Sequence, residues 1–157
     1  MTLQSVKDFF ATHAPEIPVI ETHASTATVQ LAAEVHGVAP GQIAKTLAIR
    51  VNEREFLLVT RGDARLDNRK AKAAFGGRPR MLGTEDVERL TSHKVGGVCP
   101  FGLPHPLPIY CDVSLRIYDE VIPAAGSTHS SVRLPVDRLL VLTNARWADA
   151  CEIPPEA

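Results

Sequence analysis

The sequence lacks the features of a membrane-spanning or secreted protein. Hydrophobic residues make up 45% of its 157 residues, yet no apolar run approaches the roughly 18 residues that a membrane span needs. The N-terminal stretch interrupts its apolar pattern with Lys7 and Asp8 and has no apolar region of the kind found in signal peptides. Internal repeats and low-complexity tracts are absent as well. We therefore expect a soluble protein of the cytoplasm that has no membrane partner.

Cysteine is scarce, with only Cys99, Cys111 and Cys151 in the chain. An odd number of cysteines without a C-x-x-C pair argues against a disulfide framework and against a redox dithiol. His93, Cys99, His105 and Cys111 recur every six residues, but zinc sites use shorter pairs of ligands. We therefore expect free thiols, no metal and no cofactor.

The net charge of −1 conceals a gradient along the chain. Residues 61–94 hold nine Lys/Arg against five Asp/Glu, whereas residues 1–60 are net −2 and residues 95–157 are net −3. A polyanion is expected to meet the basic middle segment first. The alternative is a solvated helix face with mixed charges.

Helical and strand-like patterns alternate irregularly along the chain. A helix is predicted from Thr2 to before Pro15, and a second has Ser25 or Thr26 as its N-cap and Gly37 after its last turn. Two β-rich runs that flank a charged tetrapeptide predict a hairpin. Further elements are expected as strands at 107–111, 116–124 and 131–133 and as helices at 67–75, from Thr84 and from Leu134 with Pro135 in its first turn. The length predicts one domain over residues 1–157, an α+β fold with a central sheet or barrel.

The segment from Gly96 to Gly102, Gly-Gly-Val-Cys-Pro-Phe-Gly, is the most informative local feature. Its glycines permit close approach of the backbone to a ligand, and Pro100 fixes one φ angle. The alternative is an ordinary turn between two elements. Lys45 lies inside an apolar strand, where an ammonium is costly unless an anionic group meets it or its end reaches solvent.

Four motifs occur in the order that is typical of one family. They are Ala44-Lys-Thr-Leu47, Arg61-Gly-Asp-x-x-Leu-Asp67, Gly96–Gly102 and Gly126-Ser-Thr-His129. Together they resemble the YbaK family, the freestanding relatives of the editing domain inserted into bacterial prolyl-tRNA synthetase. The resemblance runs from near Ile20 to Asp149 and implies a barrel-like mixed sheet surrounded by helices.

The resemblance implies a trans-editing hydrolase that removes a small mischarged amino acid, alanine or cysteine, from the proline tRNA. His129 matches the synthetase-inserted domain, which favours alanine or another small amino acid. The expected partners are this tRNA and prolyl-tRNA synthetase. The residues implied are Lys45, Gly96, Gly97, Val98, Cys99, Pro100 and His129 for catalysis, Ile20, Thr46, Phe101, Gly102, Gly126 and Ser127 for substrate binding, and Arg61, Arg65, Arg69, Lys70 and Lys72 for tRNA contact.

An aminoacyl ester is already activated, so its hydrolysis needs a positioned water and a stabilised oxyanion more than a strong nucleophile. Backbone N–H groups of residues 97–101 are expected to form the oxyanion site, and Lys45 is expected to act as a fixed charge. One alternative is a nucleophilic Cys99 served by His93, His105 or His129. Others are a non-catalytic module that binds the aminoacyl end or a nucleotide, and a subunit that docks on a synthetase.

Overall fold

A computed structural model describes residues 2–94 and 96–155 and shows a mixed α+β fold around a seven-stranded sheet. The described residues form the helices α1 (Thr2–His13), α2 (Val29–His36), α3 (Asn68–Phe75), α4 (Thr84–Thr91) and α5 (Val136–Thr143). The strands are β1 (Ile20–Glu21), β2 (Ile43–Val51), β3 (Arg54–Arg61), β4 (Arg65–Leu66), β5 (Pro79–Met81), β6 (Ile109–Asp112), β7 (Glu120–Pro123), β8 (Ser130–Ser131), β9 (Leu134–Pro135), β10 (Arg146–Ala148) and β11 (Cys151–Glu152). The expected α+β class is confirmed. No helix in these ranges has the length and apolar character to cross a bilayer.

The central sheet has the strand order β10-β6-β3-β2-β7-β9, and β5 pairs with β2 outside this path. The predicted hairpin is confirmed: β2 and β3 are antiparallel, with Lys45 opposite Thr60. On the other edge of β2, β7 pairs with residues 43–44 and β5 with residues 49–51. Residues 45–48 of that edge therefore have no strand partner in the described part of the chain. This gap in the sheet opens a space beside the middle of β2.

The helix ends follow from local hydrogen-bonding groups. Asp67 caps α3 by accepting a hydrogen bond from the N–H of Lys70 at 3.0 Å, as its position in the sequence predicts. Gly37 ends α2 with a φ of 67°, also as predicted. The N-cap of α2 is Thr28, however, because Ser25 and Thr26 direct their hydroxyls to the carbonyl of Thr128. The prediction of Ser25 or Thr26 as N-cap is wrong for this reason.

The expected strand over residues 116–124 is only partly formed. Residues Val113–Ile117 form a 3₁₀ turn, capped by the Asp112 carboxylate, which accepts the N–H of Ser114 at 3.0 Å. The strand begins at Glu120 and is shorter than predicted. Pro135 is the N-cap of α5 rather than a residue of its first turn.

The buried core lies on both faces of the sheet. On one face α1 packs Phe10 against Phe101, with ring centroids 4.8 Å apart. On the other, Phe56 and Phe75 meet under α3 at 4.6 Å. The core on the first face extends to the residues beside the gap in the sheet.

Candidate functional site

A cavity of about 280 Å³ occupies the gap beside the middle of β2. Residues 43–48 form one wall, and the start of α2 forms another. Met81 and Leu82 close one end of the gap, and Ile122 of β7 closes the other. The lining residues are Thr26, Ala27, Thr28, Val29, Ala32, Ile43, Ala44, Lys45, Thr46, Leu47, Ala48, Met81, Leu82, Val87, Gly96, Val98, Ile122, Ala124 and Ser131. Most of these side chains are small or apolar, so the cavity suits a small uncharged group.

Lys45 is the only charged side chain among these lining residues. Its ammonium donates a hydrogen bond to the carbonyl oxygen of Ala64. Burial lowers the pKa of Lys45 below its ordinary value, while Cys151 and Asp63 oppose that shift. The ammonium is thus held on the carbonyl of Ala64, a residue outside the cavity lining, and is partly withdrawn from water.

Thr46 presents both its main chain and its side chain at the gap. The N–H of Leu82 donates to the carbonyl of Ala48 at 3.0 Å, so the main-chain groups of Ala48 face this edge of β2. Because strand residues alternate in the direction of these groups, the main-chain groups of Thr46 face the same edge and meet the cavity. The Thr46 hydroxyl is buried and has no hydrogen-bond partner among the described residues.

The first half of the loop Gly96–Gly102 faces the cavity, through Gly96 and Val98. Gly97 lies behind them, against the main chain of Gly126 and Ser127. The N–H of Gly97 donates to the carbonyl of Lys94 at 2.9 Å. This N–H is therefore already used within the protein, which removes it from the expected set of oxyanion donors.

Cys99 is fully buried beneath the loop, with its sulfur 3.5 Å from Nε2 of His93. Burial raises the pKa of the Cys99 thiol to about 12, so the thiol stays protonated near neutral pH. His93 is also buried, its pKa is lowered mainly by burial, and Nε2 donates to the carbonyl of Phe101 at 2.8 Å. Neither residue lines the cavity. The geometry thus disfavours a Cys99–His93 nucleophile.

The second half of the loop points away from the cavity. Phe101 is fully buried in the core against Phe9 and Phe10. Pro100 and Gly102 border a second cavity of about 630 Å³, which lies between α1, the loop and the end of α5. The structure does not bring these three residues to the site where catalysis or substrate binding is expected.

The turn Gly126–His129 supports the loop rather than lining the cavity. The N–H of Gly126 donates to the carbonyl of Gly97 at 3.0 Å, and the hydroxyls of Ser127 and Ser130 lie 2.6 Å apart. His129 is exposed, and its Nδ1 lies 2.8 Å from the Thr128 hydroxyl. Ile20 pairs with Ser131, so it stands behind a residue of the cavity wall. Roles for Ile20, Gly126, Ser127 and His129 in catalysis or substrate binding stay predictions.

Sequence reasoning missed several residues of the cavity wall. Thr28 could have been found from the Ser-Thr-Ala-Thr run before the apolar pattern of α2. Other wall residues reach the cavity only through long-range packing, so no local sequence pattern marks them. They are Leu82, Val87, Ile122 and Ser131. These missed residues supply much of the apolar wall.

The expected tRNA-contacting residues fall into two groups. Arg61 pairs with Asp63 at 2.6 Å, Arg65 with Glu152 at 2.6 Å, and Lys70 with Asp149 at 3.3 Å. Arg69 and Lys72 are exposed on α3 and have no ion pair within the described ranges. Arg78 and Arg80, in the segment around β5, are also exposed and have no ion pair among the described residues.

A family model described as "Aminoacyl-tRNA editing domain" matches residues 23–142, a range that contains every residue of the cavity wall. The chain is 41% identical over 154 residues to the uncharacterized protein YwhH of Bacillus subtilis (strain 168), covering 97% of this chain and 98% of that protein. It is 28% identical over 123 residues to a proline–tRNA ligase of Shouchella clausii (strain KSM-K16). That match covers 73% of this chain and 22% of the ligase.

Solved structures share the fold over nearly the whole chain. One, described as a "putative trans-editing enzyme for prolyl tRNA synthetase", is 36% identical with a TM-score of 0.88 and covers 96% of each chain. Another, the hypothetical protein APE2540, is 28% identical with a TM-score of 0.87, covering 94% of this chain and 99% of that one.

Proposed function

The chain belongs to the aminoacyl-tRNA editing domain family, and from this premise we propose that it is a trans-editing deacylase of the proline tRNA. Its substrate is a tRNA that carries a small mischarged amino acid, alanine, cysteine or a similar one. The reaction takes place in the cytoplasm, where the tRNA and prolyl-tRNA synthetase are its partners. The observation that carries this proposal is the small apolar cavity with Lys45 in its wall.

The size and lining of the cavity support discrimination by volume. The lining combines small side chains such as Ala27 and Ala44 with the larger apolar side chains of Leu82 and Val87. One extra methylene in such a pocket is worth roughly 1–3 kcal/mol in discrimination. A wall that accommodates an alanyl group and excludes the larger ring of proline is therefore sufficient for editing.

The reaction is hydrolysis of an ester. Water adds to the ester carbonyl, the bond from the carbonyl carbon to the ribose oxygen breaks, and the free amino acid and the ribose hydroxyl of the tRNA are released. Lys45 supplies a fixed positive charge near the ester or the terminal phosphate. With Gly97 excluded, the main-chain N–H donors proposed for the oxyanion are those at the cavity, on Gly96, Val98 and Thr46.

The unpaired cations suggest where the tRNA backbone binds. Arg69 and Lys72 lie on α3, which packs beside β5, and Arg78 and Arg80 belong to the β5 segment. Met81 of β5 lies in the cavity wall, so this basic surface leads to the site. We name Arg69, Lys72, Arg78 and Arg80 the basic rim, and we propose it in place of the paired residues Arg61, Arg65 and Lys70.

The test is deacylation of proline tRNAs charged with alanine, cysteine, serine, 2-aminobutyrate or proline. We expect hydrolysis of one or more of the small amino acids and protection of the prolyl ester. Lys45→Ala should abolish the activity without unfolding the protein, whereas the control Lys7→Ala should retain it. A folded wild-type protein that hydrolyses none of these esters would contradict the proposal.

A second candidate, a non-catalytic aminoacyl-tRNA binding module, is favoured by one observation. The described residues that line the cavity include no histidine and no carboxylate to act as a base. Such a module would bind an uncleavable aminoacyl-tRNA analogue and never turn over the ester. Binding and deacylation measured on the same preparation separate the two candidates.

A further inference from the structure

The turn Arg61–Ala64, which connects β3 to β4, lies directly against Lys45. The N–H of Ala64 donates to the carbonyl of Arg61 at 3.1 Å and closes the turn. The carbonyl of Ala64 in turn accepts the hydrogen bond from the Lys45 ammonium. The position of this catalytic candidate therefore depends on the shape of the turn.

An ion pair holds the turn in shape. Nε of Arg61 donates to Oδ1 of Asp63 at 2.9 Å, and Nη2 donates to Oδ2 at 2.6 Å. The Arg61 side chain is only 16% exposed, and its guanidinium carbon lies 5.7 Å from the centroid of the Tyr118 ring. Two parallel charge-assisted hydrogen bonds fix orientation better than one, so the Asp63 carboxylate has little freedom to turn.

Gly62 allows the turn to pack closely against β2, the strand that lines the cavity. A Cβ atom on Gly62 would lie 2.2 Å from the carbonyl oxygen of Pro40 and 2.9 Å from that of Ile43. No side chain fits there, because the obstructing atoms belong to the main chain. The turn is therefore packed directly on the start of β2, two residues before Lys45.

We propose that the turn Arg61–Ala64 is a positioning device for Lys45, in which Asp63 is the positioning residue and Arg61 holds it in place. The Ala64 carbonyl fixes the ammonium, and the Asp63 carboxylate stabilises its charge. The consequence for deacylation rests on the proposed function. The placement and ionisation of Lys45 do not, and they can be measured without substrate.

The titratable groups that face Lys45 come from two elements. Asp63 belongs to the turn, and Cys151 belongs to β11. Burial raises the pKa of the Cys151 thiol to about 12, so near neutral pH it carries no charge that could support the ammonium. Asp112 contacts Cys151 instead of Lys45, since its Oδ1 accepts a hydrogen bond from the N–H of Cys151 at 3.1 Å. Asp63 is thus the nearby carboxylate that opposes the loss of the Lys45 charge.

The experiment measures the ionisation of Lys45 directly. The chain has five lysines, so a ¹³C-methylated sample gives few NMR signals, and Lys45→Arg assigns the one of interest. Asp63→Asn should lower the pKa of Lys45, because the supporting carboxylate is lost. Arg61→Lys keeps the positive charge but cannot hold Asp63 through two parallel hydrogen bonds, so it should also lower the pKa of Lys45. The control Asp149→Asn makes the same chemical change at the exposed partner of Lys70 and should leave the Lys45 signal unchanged.

A lower pKa of Lys45 in both folded variants, with an unchanged signal in the control, supports the proposal. An unchanged or raised pKa of Lys45 in folded Asp63→Asn or Arg61→Lys protein would overturn it. In the deacylation assay Asp63→Asn should reduce kcat by up to about a hundredfold with little change in KM. A lower pKa of Lys45 in both variants together with an active Lys45→Ala protein would support the positioning role and refute the function proposed for Lys45.

Discussion

The carbonyl oxygen of Gly97 accepts a hydrogen bond from the N–H of Gly126 at 3.0 Å. This bond joins two motifs that lie about thirty residues apart in the sequence, the loop Gly96–Gly102 and the turn Gly126–His129. Only the first half of the loop reaches the cavity, and the turn supports it from behind. The two motifs therefore act together as a frame for the cavity. An added side chain would disturb this frame most where the two main chains approach each other.

Gly97→Ala tests this frame. A Cβ atom on Gly97 would lie 2.6 Å from the N of Ser127 and 2.8 Å from the carbonyl carbon of Gly126. Because main-chain atoms cannot swing aside, we expect a loss of about 3 kcal/mol in the free energy of unfolding, seen as a Tm lower by roughly 6–12 °C. The control is Gly83→Ala, where a Cβ has nothing within 4 Å and the loss of a glycine N-cap costs at most about 1 kcal/mol. Equal melting temperatures for the two variants would contradict the proposed frame.

The Cys99 thiol provides a second prediction. With a pKa raised to about 12 by complete burial, it should react very slowly with thiol reagents at pH 7–8 in the folded protein. Cys99→Ala should deacylate within a few-fold of the wild type, because the thiol does not face the cavity. Reactivity is measured under native conditions and again after unfolding, which provides the control. An acyl-enzyme trapped on Cys99, or loss of activity in a stably folded variant, would instead support a nucleophilic thiol.

Sequence reasoning succeeded where the signal is local. The helix α3 could be predicted because Asp67 and Gly76 mark its two ends, and the β2–β3 hairpin because two β-rich runs flank a charged tetrapeptide. The strands β4, β5, β10 and β11 contain only two or three residues each. No periodic pattern can develop over such lengths, so pairing with distant strands alone determines them.

The contrast between local signals and long-range packing also explains which site residues could be predicted. Lys45, Gly96 and Val98 were singled out from the sequence, and the structure brings them to one cavity. Phe101 was expected to bind substrate, but an aromatic residue beside a glycine does not reveal which side of the loop it faces, and here it packs in the core. The cavity itself arises because β5 and β7 leave the middle of β2 unpaired, a property of the assembled sheet that no segment encodes alone.

The basic rim gives a third prediction, on the binding of tRNA. Arg69→Gln combined with Lys72→Gln should raise KM for the charged tRNA and leave kcat nearly unchanged, because these cations bind phosphates far from the ester. The slope of log K against log salt should fall by roughly 0.7–0.9 for each phosphate that the variant no longer neutralises. The matched control, Arg133→Gln with Arg138→Gln, removes the same charge from cations that are already paired with Glu120 and Glu16. An identical effect in both double variants would show that only net charge matters.

The buried His93 leads to a final prediction, on pH and stability. Its pKa is lowered mainly by burial, and Nδ1 has no hydrogen-bond partner among the described residues. Protonation in the folded state would therefore add an N–H at Nδ1 that has no acceptor. The unfolded chain binds this proton more readily. The contribution of neutral His93 to the free energy of unfolding is therefore complete above the ordinary histidine pKa of about 6.5, and it is lost as the pH falls through the lower pKa of the folded state. The pKa of His36 is also lowered by burial, with help from Arg133, and it adds to the same loss.

We therefore expect the free energy of unfolding, measured by urea titration, to fall between pH 7.5 and 5 in the wild-type protein. His93→Gln retains an N–H donor that can reach the Phe101 carbonyl but cannot be protonated, so its stability should fall less over this range. His36→Gln should remove part of the slope as well, and the double variant should be the least sensitive to pH. If His93→Gln keeps the full pH dependence of the wild type, protonation of His93 does not destabilise the fold and the loop Gly96–Gly102 tolerates a charge beneath it.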